Sequence, residues 1–74
     1  MTTYRILYRG ALLGLAAVTP AGTVRVPAAL EKQLAAAGGA AAVASLTQQM
    51  RILWAEDRHG NLTFHDRAGA IESV

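Results

Sequence analysis

Apolar and polar positions alternate with a period of two at the start of this chain. In residues 3–9, TYRILYR, Tyr4, Ile6 and Tyr8 fall on one side and Arg5, Leu7 and Arg9 on the other, the pattern of a half-buried strand. Gly10-Ala11 suits a two-residue turn with glycine first, which sends residues 12–19 back antiparallel. Gly14, Ala16 and Ala17 weaken that second strand, and a helix across 11–18 is the competing local reading. Thr19-Pro20-Ala21-Gly22 is a firmer punctuation mark, because proline presets φ for the first central turn position and glycine accepts the positive φ that follows. Residues 23–26, TVRV, predict a short strand with Val24 and Val26 on one face and Thr23 and Arg25 on the other.

At Pro27 the period changes. Leu30, Leu34 and Ala37 recur at spacings of four and three, Pro27 suits the start of a helix, and Glu31 places negative charge in the first turn. Gly38-Gly39 offers a left-handed cap that ends or sharply bends this helix. A second helical piece is expected from Ala40 to Gln49, with Val43, Leu46, Thr47 and Met50 on its less polar side. Alanine gives the segment helix propensity but buries little surface, so its leucine stripe must pack on something else. Beyond it, residues 51–56, RILWAE, and 61–65, NLTFH, read as a hairpin around Asp57-Arg58-His59-Gly60, with Ile52 and Trp54 facing Leu62 and Phe64 across the ladder. Residues 66–74 carry no pattern and are expected to fray.

These elements assemble into one α+β domain spanning residues 1–74, in the order ββ(β)-α-α-ββ. An antiparallel sheet of about four to five strands has the broken helical segment on one face. The expected core sets Ile6, Leu13, Leu15, Val24, Val26, Ile52, Trp54, Leu62 and Phe64 beneath Leu30, Leu34, Val43 and Leu46. The opposite face would carry Arg5, Arg9, Arg25, Arg51, Thr63 and His65 around Leu7 and Leu53.

Composition sharpens this picture in three places. Hydrophobic residues make up 53% of the 74, but 16 are alanine, so the larger side chains suffice for one thin core. A surplus of apolar surface completed by a second copy or a partner follows, and a homo-oligomer is expected. The chain has no cysteine, which excludes disulfides and thiolate chemistry and fits the cytoplasm. The formal charge is only +2, yet residues 1–30 contain Arg5, Arg9 and Arg25 and no acid. Six of the seven basic residues are arginine, which favours bidentate contacts to carboxylate or phosphate, although alanine and arginine richness also follows from a high-GC coding bias of bacterial or phage type. The opening run from Gly10 to Val18 superficially suits a secretory signal, but Gly14 interrupts it, Tyr4 to Tyr8 alternates like a strand, and the run is too short to span a bilayer.

The arginine-bearing sheet face is the most informative constellation, with Arg5, Leu7, Arg9, Arg25, Arg51 and Leu53 as the candidate partner-binding residues. The plain alternative is that arginines on a solvated strand face only keep the sheet soluble. His59, His65, Asp57, Asp66 and Glu56 crowd the terminal hairpin, but their spacing matches no metal signature, and the turn itself calls for Asp57 and Gly60. Ser45, Thr47 and Thr63 lack the context of a nucleophile, and Gly38-Gly39 lacks the lysine of a phosphate loop. No cofactor, metal or catalytic residue is assigned. The expectation is a non-enzymatic protein-interaction module, an accessory, adaptor or inhibitor, that covers an acidic partner surface with its arginine face or a sheet edge.

A nucleic-acid reading stands beside it. Thr23-Val24-Arg25-Val26-Pro27, followed by ALEKQLAAAGG and another helix, resembles the strand–helix–helix core of ribbon-helix-helix repressors over less than half the chain. The resemblance implies an intertwined dimer on duplex DNA, with Thr23 and Arg25 in the base-reading positions.

Overall fold

A computed structural model describes residues 1–56 and 61–74. β1 (Thr2–Tyr8), β2 (Ala11–Val18), β3 (Val24–Arg25), β4 (Asn61–Phe64) and β5 (Gly69–Ser73) form one antiparallel sheet in the order β3-β2-β1-β5-β4. Among the described residues a single helical element, α1 (Ala28–Ala55), lies between β3 and β4 in the chain and packs against one face. The α+β architecture is the one the pattern predicts.

The first two strands form as expected, with the turn one residue earlier. Arg9 and Gly10 are the two loop residues, with φ of 50° and 82°, and Tyr8 faces Ala11 across the ladder. Two successive positive φ values match the right-handed twist of the flanking strands, as in hairpin turns of the primed kind. The competing helix across 11–18 does not form. Instead β2 is irregular in the middle: Ile6 faces Gly14 but Leu7 faces Leu12, so Leu13 is an extra residue. This bulge splits Leu13 from Leu15, and the two do not share the core face. Leu13 packs partly against the core, whereas Leu15 points to the bare side and is 51% exposed. Ala16 and Val18 take the inward positions instead.

The Gly38-Gly39 break forms, and its two glycines serve different ends. Gly39 has φ 78° and ψ −177°, a region essentially reserved for glycine, and bends α1 there. Gly38 gives room for Tyr8, whose Oη lies 2.5 Å from where a Cβ would stand. Helix then continues past Gln49 to Ala55, which corrects the expected strand at 51–56. Ala42, Leu46, Met50 and Leu53 are all buried at spacings of four, four and three, so the helical stripe runs on through RILWA. Burial of Leu53 on that stripe overrides the strand propensity of Ile52 and Trp54. Ile52 is consequently exposed, and Trp54 lies over the turn glycine Gly22 rather than across from Phe64.

The largest correction concerns the chain end. Residues 69–73 do not fray but form β5, inserted between β1 and β4, with Ile6 facing Ile71 and Phe64 facing Gly69. The final hairpin is therefore β4–β5 around residues 65–68; the expected turn at 57–60 lies outside the described residues. Ile71 is fully buried, and the Phe64 ring covers Gly69 so closely that a Cβ there would collide with it. The core comprises Tyr4, Ile6, Tyr8, Ala16, Val18 and Ile71 of the sheet, Phe64 beside them, and Leu30, Leu34, Ala42, Leu46, Met50 and Leu53 of α1. Val24, Val26, Val43, Trp54 and Leu62, all expected in the core, pack at its margin and are partly buried.

Candidate interaction face

With α1 on one side, the other side of the sheet is left bare by the described residues. The register assigns its side chains: Arg25 on β3; Leu12, Leu15 and Ala17 on β2; Thr3, Arg5 and Leu7 on β1; Ala70 and Glu72 on β5; Thr63 on β4. A solvated antiparallel face normally alternates to polar residues. Here Leu7, Leu12, Leu15, Ala17 and Ala70 make a contiguous apolar area, with Leu12 59% and Leu15 51% exposed.

Polar groups sit across and beside that area. Arg5 Nε donates to Glu72 Oε1 at 3.3 Å and Nη2 to the Ser73 carbonyl at 3.3 Å, bracing β1 against β5. Both side chains remain partly in solvent, so this pair stabilises little by itself. Arg25, on the edge strand, is exposed and has no ion pair among the described residues. It borders a shallow depression of about 310 Å³ lined by Thr3, Leu15, Ala17, Val26 and Pro27 among others. Among the described residues the face thus joins apolar surface to the Arg5–Glu72 pair and to the guanidinium of Arg25, which has no ion pair there.

Of the six residues expected at the partner surface, Arg5, Leu7 and Arg25 share this face. Arg9 stands in the β1–β2 turn, with its guanidinium carbon 5.4 Å from the centre of the Tyr8 ring. Arg51 and Leu53 are elsewhere, because residues 51–55 are helix: Leu53 is buried in the core, and Arg51 lines an open concavity of about 540 Å³ on the outer side of α1 with Ala44, Gln48 and Ile52. Sequence reasoning missed Leu15, which the bulge turns outward, and Leu12, which precedes the bulge and takes the outward position opposite Leu7. Gly14 in the middle of a strand was the signal for that bulge.

His65 has a structural place. Its Nδ1 is hydrogen-bonded to Tyr8 Oη at 2.8 Å, its backbone N–H donates to Ser45 Oγ at 3.0 Å, and its ring stacks near that of Tyr8. These contacts tie the β4–β5 turn to α1 and β1. Asp57 and His59 lie outside the described residues, and no group of three or more metal-binding side chains occurs among the rest. Thr23 belongs to the turn before β3, with its N–H bonded to Thr19 Oγ1 and its carbonyl accepting from Thr19 N. Val24–Arg25 pairs with β2 of its own chain, so the strand of the ribbon-helix-helix resemblance is part of an intramolecular sheet. Among the described residues no helix is long and apolar enough to cross a membrane.

No family model, curated protein or solved structure matches the chain. The functional reading therefore rests on geometry and chemistry.

Proposed function

We propose that this chain is a non-enzymatic protein-interaction module of the cytoplasm whose contact surface is the bare sheet face. The observation that carries the reading is the pair Leu12 and Leu15, two large apolar side chains more than half exposed on a strand face that folding leaves uncovered. Such a contiguous patch rimmed by polar groups is the mark of an interaction site. Arg25 beside it favours an apolar partner surface that also carries carboxylates.

The test compares proteins retained from lysate by the native chain, by Leu12→Asp/Leu15→Asp and by Arg51→Glu on the far side of α1. Retention by the native chain and Arg51→Glu, with loss only in the leucine variant, is the expected result, and thermal midpoints exclude unfolding. Equal retention by all three overturns the reading. Salt-sensitive binding to a random duplex, abolished by Arg25→Glu, would replace it with nucleic-acid binding.

A further inference from the structure

We infer that a second copy of this chain occupies the bare face, in a symmetric sandwich with the two helices outermost. The inference rests on the proposed interaction face and names its partner.

The register makes the face self-complementary. A two-fold axis parallel to the strands and midway between β1 and β2 exchanges those strands between copies and keeps their heights. Leu7 and Leu12 are directly paired within one chain, as are Arg5 and Leu15. Across the axis, Leu7 therefore meets the second copy's Leu12, and the stem of Arg5 covers the second copy's Leu15. Each contact occurs twice, as a two-fold interface requires.

Charge follows the same operation. β3 and β5 are the next strands outward on either side of the axis, so β5 of one copy faces β3 of the other. Glu72 is level with Arg5, and Arg25 is level with Thr3 through Ala17. Those heights differ by two residues, about 7 Å along a strand, a gap an extended arginine side chain spans. Two Glu72–Arg25 contacts thus flank a central leucine cluster, and the second copy supplies both the apolar and the acidic chemistry that the face calls for.

Size places the interface in a class. The chain exposes 4392 Å² and measures 29 × 21 × 18 Å, so its broad face offers on the order of 500 Å² per copy, the lower end of specific interfaces. Sheets stacked about 10 Å apart bury such a face fully. Interfaces of this size class are typically weak and transient, so the expected dissociation constant is on the order of 10–100 μM.

Sedimentation velocity from about 5 μM to about 1 mM, a range bracketing that constant, tests this directly. The expected mass rises with concentration from the 7.8 kDa of one chain towards twice that value. Leu12→Asp holds it at one chain throughout. Arg25→Glu weakens association about tenfold, and adding Glu72→Arg recovers part of the loss, because the crossed pairs are restored with reversed sign while Arg5 loses its own partner. Arg25→Glu is exposed and spares the core, so it reports even where an aspartate in β2 impairs folding. A native chain that stays monomeric throughout overturns the inference, as does a dimer indifferent to both Leu12→Asp and Arg25→Glu. Monomer with leucine-dependent capture from lysate removes the second copy but keeps the docking face; leucine-dependent dimer with leucine-independent capture supports the second copy and removes the wider reading.

Discussion

Replacing Gly38 by alanine separates two effects that normally coincide at a helical glycine. Intrinsic propensity favours alanine by about 1 kcal/mol. Packing opposes it, since the added Cβ would lie 2.5 Å from Tyr8 Oη, 3.0 Å from Tyr8 Cζ and 2.7 Å from the Ala42 Cβ. Tyr8 cannot simply swing away, because it is buried and its hydroxyl is hydrogen-bonded to His65 Nδ1 at 2.8 Å. Ala42 Cβ is fixed to the helix backbone. Overpacking with no compliant neighbour costs about 3 kcal/mol, which leaves a net loss of about 2 kcal/mol after the propensity gain. For a domain of this size that lowers the thermal midpoint by roughly 8–16 °C.

The neighbouring Gly39→Ala provides the control. Nothing lies within 4 Å of its Cβ position, but φ 78° with ψ −177° is strained for any L side chain, at about 1–3 kcal/mol. Tyr8→Phe removes the atom nearest the new Cβ at Gly38 and should recover part of the Gly38→Ala loss, with a coupling of about 1 kcal/mol in a double-mutant cycle. It should not couple to Gly39→Ala. Circular dichroism melts and urea titrations of the native chain, the three single variants and the two double variants give the six stabilities that the two cycles require. A Gly38→Ala protein as stable as the native chain, or equal coupling of Tyr8→Phe to both glycine variants, would refute the packing argument.

Ile71→Ala should cost about 2–4 kcal/mol in urea denaturation, since a fully buried side chain in an interior strand leaves a cavity; a loss under 0.5 kcal/mol would mean that β5 is dispensable. Glu72→Ala should change stability by no more than about 0.5 kcal/mol, because its ion pair with Arg5 is partly solvated. Gly69→Ala displaces the Phe64 ring and should destabilise by about 1–3 kcal/mol, visible as altered aromatic near-ultraviolet dichroism. Arg67→Gly should stabilise by up to about 1 kcal/mol, since Arg67 is exposed at φ 65° in a turn where His65 and Asp66 are also left-handed; a lower midpoint would show that the arginine side chain holds the turn.

Much of this fold is written in local pattern. The alternation of Tyr4, Ile6 and Tyr8, the Thr19–Gly22 turn, the Leu30–Leu34 stripe and the break at Gly39 all depend on neighbours a few residues away, where side-chain period and glycine conformation decide. The α+β class and the presence of a helix-free sheet face follow from them.

Tertiary structure decided the rest. RILWA has the composition of a strand, and only the burial of Leu53 in line with Leu46 and Met50 makes it helix. Residues 69–73 hold one large apolar side chain and look featureless alone; they become an interior strand because β1 and β4 present hydrogen-bonding edges and Phe64 supplies the bulk that Gly69 lacks. The candidate face moved for the same reason. Arg51 left it when its segment became helical, and Leu15 joined Leu12 on it when a single bulged residue, Leu13, reversed the phase of the rest of β2. A period of two determines which residues share a face, but one extra residue inverts the assignment for everything beyond it, and only the pairing with β1 places that residue.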